Sequence, residues 1–289
     1  MGVEEKLLPN NLNLPPSAKK DEYGNLVTDK KTLEELYLRT YESRLQPNCL
    51  PAELDELKTL KKYLFNLRVK LVKQDVTEDW SFKQLEAALK SLKNHKARDI
   101  WGHTYELFKY GGKDLKYSLL SLFNRVKKSQ TYSSIFKSST ITSIWKNKGD
   151  QTELDNDRDI FNVTKIRSIL DKLVYNDIYD IVDKNMSVSN IGARKSRNIR
   201  DHLFVINAVL NEVVNGPNNN ALDLQIFDVK KCFDKLEYVD TMNCLFTAGV
   251  QNDKYILIAN SNKECEVSVK LPWGSKTRST ILNRGVQKN

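Results

Sequence analysis

The chain is short of the residues that build metal or disulfide scaffolds. Its 289 residues include 4 cysteines and 3 histidines. Cys49, Cys232, Cys244 and Cys265 show no C-x-x-C spacing. A structural zinc site or a disulfide framework is therefore not expected, and a reducing intracellular compartment, nuclear or cytoplasmic, is. No apolar run reaches the ~18 residues that cross a bilayer, so no membrane partner is expected. The N-terminal stretch has no apolar core of the kind a secretion signal needs, because Asn, Pro and Lys interrupt it; the protein is not expected to be secreted. No internal repeat and no low-complexity tract occurs.

What is present suffices for a folded core. The composition is 40% hydrophobic and 29% charged, outside the range of disordered chains, and the length fits one large domain or two moderate ones. The charge is unevenly placed. The net value is +9, yet residues 83–148 hold 14 bases against Glu86, Asp99, Glu106 and Asp114, a local excess of +10. Residues 149–188 are acidic, and Arg194, Lys195, Arg197 and Arg200 form a second basic knot. Localised charge of this kind fits a polyanion partner; a solvated lysine-rich helical surface is the other reading.

Periodicity separates helices from strands. Residues 1–30 read as a flexible leader, with a turn at Asp21–Asn25. Residues 31–79 read as a helical linker region: Leu33, Leu36, Tyr37 and Tyr41 mark one helix, and Leu54 through Leu71 stripe a longer one. Ser81 is placed to cap a helix that runs to Lys93. A short helix ending at Tyr110 and a longer one carrying Leu115, Leu119, Leu122, Phe123 and Val126 are expected, with others at about 168–184, 200–215 and 238–260. Strands are expected at Ser139–Trp145, Leu222–Phe227, Cys265–Leu271 and Thr277–Leu282. The fold class is α+β, with helices first and strands concentrated late.

The segment that bears on chemistry is Ile226–Lys235. An apolar run leads into Asp228, and Asp234 follows beyond Phe233. A carboxylate fixed at a strand end suits metal-assisted phosphoryl transfer, given further acids from elsewhere in the fold. Capping the turn after a strand, with Asp234 solvated, is the other reading.

Four segments in order over roughly residues 80–289 give this chain a resemblance to the reverse transcriptase region of non-LTR (LINE-type) retrotransposons. Asp228-Val-Lys-Lys-Cys-Phe-Asp234 is similar to the family's first palm motif, apolar-Asp-x-Lys-x-small-aromatic-Asp. Ile141-Thr-Ser-Ile-Trp-Lys-Asn-Lys-Gly-Asp150 and Asn156-Asp-Arg-Asp-Ile160 resemble the fingers motifs that precede it, and Gly192-Ala-Arg-Lys-Ser-Arg197 with Asp201 resembles the next. Asp21–Thr28 is similar to the linker such elements place before the polymerase.

The resemblance implies part of a right-hand polymerase: fingers over 80–200 and a partial palm over 201–289, holding the first strands of its antiparallel sheet. It implies template-directed nucleotidyl transfer, with an RNA template, a DNA primer or other single-stranded nucleic acid, and deoxynucleotides as partners. Asp228 becomes the catalytic metal-binding carboxylate, the Val229 carbonyl a second oxygen ligand, and Mg²⁺ the cofactor. Lys146, Lys148 and Arg158 become the cations that neutralise the triphosphate. Phe233 lies under the incoming sugar and excludes a 2′-hydroxyl, Gln287 contacts the nucleotide, and Arg194 and Arg197 contact the template backbone.

The departures are equally specific. The family's second palm motif carries an Asp-Asp pair, and no Asp-Asp pair occurs in this sequence. Lys288 stands where the family has the Gly after Gln287. The chain therefore reads as a truncated or decayed reverse transcriptase, inactive by itself. The alternative is a non-catalytic protein derived from such an element that binds RNA or single-stranded DNA.

Overall fold

In the computed structural model, residues 18–46, 52–71, 78–192, 194–215, 222–229 and 236–282 are described. The fold is α+β, as the pattern predicts. Its centre is a four-stranded sheet in the order β4-β3-β5-β6, where β3 is Ser138–Trp145, β4 Asp157–Val163, β5 Glu266–Lys270 and β6 Thr280–Ile281. β3 and β4 form an antiparallel hairpin. β5 joins parallel to β3 with Ile141 opposite Val269, and β6 closes antiparallel on β5. The parallel pairing needs a long crossover. The intervening chain supplies it with α7 (Lys165–Lys184), α8 (Ile199–Asn215), α9 (Tyr238–Thr247) and α10 (Asn252–Ser261).

One face of this sheet is covered by α1 (Lys30–Leu45). Asp29 caps the helix by accepting from the Thr32 amide at 3.0 Å. Its buried stripe of Tyr37, Tyr41 and Leu45 packs on Ile141, Phe161, Val267, Val269 and Leu271. A small hairpin precedes it, β1 (Lys19–Lys20) and β2 (Leu26–Val27), around the expected Asp21–Asn25 turn. The Lys20 amide donates to the Thr152 carbonyl at 2.9 Å, which ties this hairpin to the tip of β3–β4. Residues 18–30 are thus an integral part of the fold and not a flexible leader. Likewise α1 belongs to the sheet's core, whereas it was expected in a separate linker region. Pairing across ~120 residues of sequence creates these contacts, so no local pattern announces them.

A second core is helical. α3 (Phe82–Ser91) begins with the expected Ser81 cap, completed as a capping box by Gln84. α4 (Tyr105–Tyr110), α5 (Gly112–Ser129) and the short α6 (Ser134–Lys137) follow. Leu85, Leu89, Phe108, Phe123 and Val126 pack there against Ile169, Leu170 and Leu173 of α7. A third cluster joins Phe65 and Val69 of α2 (Ala52–Leu71) to Met242, Val250 and Tyr255.

Two further expectations are corrected. The helix foreseen over 238–260 is two helices, because the chain turns at Gly249, whose φ of +89° favours glycine. The strand foreseen at Leu222–Phe227 does not form: residues 222–229 lie outside any strand, with Ile226 and Phe227 exposed. An apolar run becomes a strand only where a neighbour completes its ladder, and the sheet's two edges are β4 and β6. α8 likewise buries none of its apolar side chains.

Candidate nucleic-acid interface

The β3–β4 hairpin presents one face to α1 and the other outward. In the register Ile144 lies opposite Arg158, while Trp145 lies opposite Asp157. Alternation along the strands therefore sends Thr142, Ile144, Arg158 and Ile160 outward, and Lys146 continues that row. Lys146, whose amide pairs with the Asn156 carbonyl at 3.0 Å, and Arg158 share one face, a diagonal step apart. Both are exposed, as is Lys148 in the connecting turn. Lys146 Nζ rests on the Asp155 carbonyl at 3.2 Å. These three cations were selected from the sequence, and the fold groups them at one end of one hairpin.

That end is rigid for identifiable reasons. Asp150 accepts from Lys20 Nζ at 2.7 Å and from both the amide and hydroxyl of Thr152. The Lys20 ammonium beside it holds the Asp150 carboxyl well below the usual carboxylate range, with Thr152 contributing. Asn156 Nδ2 donates to the Asp150 carbonyl at 2.9 Å. Gly149 sits at φ +78°, and a Cβ there would lie 2.7 Å from the Asn156 side chain. Gly149→Ala is expected to destabilise the protein by about 1–2 kcal/mol, from the left-handed backbone and the displaced Asn156 together. A urea midpoint equal to that of the wild type would refute this.

Beside the hairpin's outer face lies the loop that follows α3. Asn162, in the outward row, donates from Nδ2 to the Arg98 carbonyl at 2.6 Å. The loop is pinned by Asp99, whose side chain is buried. One oxygen accepts from the amides of Trp101 and His103, and the other from the Lys165 amide at the start of α7. Asp99 thus serves as an acid at a helix N-terminus, which the helix dipole favours. Its effect is to hold a loop bearing exposed Lys93, Lys96 and Arg98 against the Asn162 end of β4, the end away from the Lys146–Lys148 tip. Sequence reasoning assigned no role here. The available signal was an acid followed by Gly102, where the helical rhythm breaks.

Much of the remaining basic surplus is already used. Lys109 donates to the Leu92 carbonyl and to Asn94. Lys116 pairs with Glu86, and Lys128 with Asp79. Lys127 is buried, donating to the Glu78 carbonyl over the Trp80 ring, and burial lowers its ammonium pKa. The +10 stretch is therefore partly bound within the fold, partly the exposed cations of the loop and hairpin, and partly exposed Lys83, Lys90, Lys113 and Arg125 on α3 and α5.

The second basic knot divides in the same way. Arg194 is bound into the turn after α7: its guanidinium meets both Asp183 oxygens at 2.9 and 3.1 Å and also the Ser187 carbonyl. The Asp183 contact raises the Arg194 pKa and lowers that of Asp183. Arg197, more exposed, pairs loosely with Asp201 at 3.6 Å. Of the two foreseen template contacts, Arg194 is occupied by the fold and Arg197 remains at the surface.

Of the foreseen catalytic segment Ile226–Lys235, residues 226–229 are described. Asp228 and Val229 are exposed on a stretch outside any strand, which corrects the expected rigid strand end. Phe233, Asp234 and Gln287 lie outside the described residues. Among the described residues no three His, Cys, Asp or Glu side chains converge. No described helix is long and apolar enough to cross a membrane. No protein-family model matches the chain.

Proposed function

We propose that this chain carries the fingers and part of the palm of an RNA-directed DNA polymerase related to those of non-LTR retrotransposons, and that it binds RNA or single-stranded DNA across the outer face of the β3–β4 hairpin. The observation that supports this most is the clustering of Lys146, Lys148 and Arg158 on a stiffened hairpin with the Lys93–Arg98 loop docked against its far end. Cations held in fixed positions on one face neutralise successive phosphates and release condensed counterions. In the polymerase reading the same cations meet the nucleotide's triphosphate, and Asp228 with the Val229 carbonyl supplies the first ligands for Mg²⁺. The second reading, a binding protein without the chemistry, is favoured by the exposure of Asp228 and the lack of companion carboxylates among the described residues.

Both readings predict binding governed by charge. Affinity for a single-stranded oligonucleotide should fall with salt by a logarithmic slope of about −0.7 for each phosphate neutralised. Replacing Lys146, Lys148 and Arg158 together with alanine should flatten that slope by about 2 and weaken binding equally for all sequences. Fluorescence anisotropy across a salt series measures both quantities. A triple variant with the wild-type slope would remove the hairpin from the interface.

A further inference from the structure

α2 carries two distinct faces. Lys58, Lys61, Phe65 and Arg68, at helical spacing, turn toward α9: Lys61 pairs with Asp240 at 2.8 Å, Lys58 approaches Glu237, and Arg68 lies over the Phe246 ring and donates to Asn243. A second stripe, Leu57, Leu60, Leu64, Leu67 and Leu71, runs with alternating steps of three and four residues and stays in solvent. Leu57, Leu60 and Leu71 are exposed at 46%, 53% and 70%. That spacing is the a/d seam of a coiled coil, kept over two heptads. A seam of leucines left in water is a recognised mark of a binding surface.

We propose that this seam joins α2 to α2 of a second copy of the chain, antiparallel. The flanking residues decide the occupant and its direction. With leucines at a and d, the e positions are Lys61 and Arg68, both already engaged with α9. The g positions are Glu56, Tyr63 and Lys70, all exposed. In a parallel pair g faces e, so Glu56 would meet a Lys61 that Asp240 already neutralises. In an antiparallel pair g faces g. Setting Leu57 opposite Leu67 of the copy, and Leu60 opposite Leu64, brings Glu56 opposite Lys70 and Tyr63 opposite Tyr63. Two complementary charge pairs then flank four leucine layers, and the Lys61 side chains on the other flank are compensated within their own chains. The seam is complementary to itself, as a two-fold interface requires. This inference does not depend on the proposed polymerase relationship.

Sedimentation equilibrium of the full chain tests it, at concentrations from about 1 to about 100 μM. A monomer–dimer equilibrium is expected. Leu64→Glu, at an exposed position that leaves the monomer's core intact, should abolish the dimer with an unchanged circular dichroism spectrum. Glu56→Lys should weaken the dimer about tenfold by replacing two attractions with two repulsions, and Glu56→Lys/Lys70→Glu should restore it. A chain that stays monomeric throughout, its seam covered by its own remaining residues or by a different protein, overturns the proposal. Rescue of Glu56→Lys by Lys61→Glu in place of Lys70→Glu overturns the antiparallel arrangement.

Discussion

Replacing Asp157 with alanine is expected to destabilise the fold by about 3–5 kcal/mol, a large part of the ~5–15 kcal/mol that holds a typical domain together. Asp157 and Lys19 meet at 2.7 Å with both side chains fully buried. Oδ2 of Asp157 also accepts from the Ser143 hydroxyl at 2.7 Å, and Lys19 Nζ donates to the Gln151 carbonyl at 2.9 Å. Attraction within a buried pair and the desolvation of its two charges nearly cancel, so the pair adds little net stability. Removing one partner is a different matter, because it strands an ammonium with a single carbonyl for company. Asp157→Ala should therefore lower the urea midpoint sharply, and the apolar double replacement Lys19→Met/Asp157→Leu should recover most of the loss. A loss below about 1 kcal/mol in the single variant would mean that water reaches Lys19 and that β1 is not seated as described.

No primer extension above background is expected from the 289-residue chain supplied with Mg²⁺, primer, template and deoxynucleotides. In the proposed polymerase reading, two metal ions bring four positive charges, and the sequence offers Asp228 without the Asp-Asp pair that completes the metal site of reverse transcriptases. Asp234 is a weak substitute, since it follows Phe233 beyond the position of the first acid. Each 1.36 kcal/mol of lost transition-state stabilisation costs about tenfold in rate, and missing metal carboxylates remove several kcal/mol. The loss should therefore span many orders of magnitude. Extension on a poly(A) template by the chain and by its Asp228→Ala variant should be equally at background. Extension that disappears in the variant would show that the chain builds a working metal site and would refute the inactive reading.

The sequence by itself determined most of the helices and the strands β3, β5 and β6. Ser81 and Gln84 announce the start of α3, and Pro47 marks where α1 must already have ended. Ser139–Trp145 alternates as a strand should, and the observed β3 adds Ser138. The order of helical and strand patterns predicted the α+β class, and the distribution of charge along the chain located the basic excess. Lys146, Lys148 and Arg158 are singled out by what the resemblance implies, and the Lys-x-Lys-Gly-Asp turn after an alternating strand also reads as a hairpin tip.

What the tertiary structure alone decided is best seen in β4. No strand was expected over Asp157–Val163, within the acidic stretch 149–188, yet it is a strand whose inward face carries both Asp157 and Asp159. Lys19 neutralises Asp157, while the Tyr41 hydroxyl and Arg44 hold Asp159. The compensating groups come from β1 and α1, more than 100 residues earlier in the chain, so no local window shows that burying those carboxylates is permitted. The reverse holds at Leu222–Phe227, which has a strand's composition and no ladder to complete it. Arg194 makes the same point for function: as a sequence it is a free cation beside a glycine, and in the fold its guanidinium is bound by Asp183. A residue's type limits what it can do, but the partners that folding brings to it decide which of those things it does.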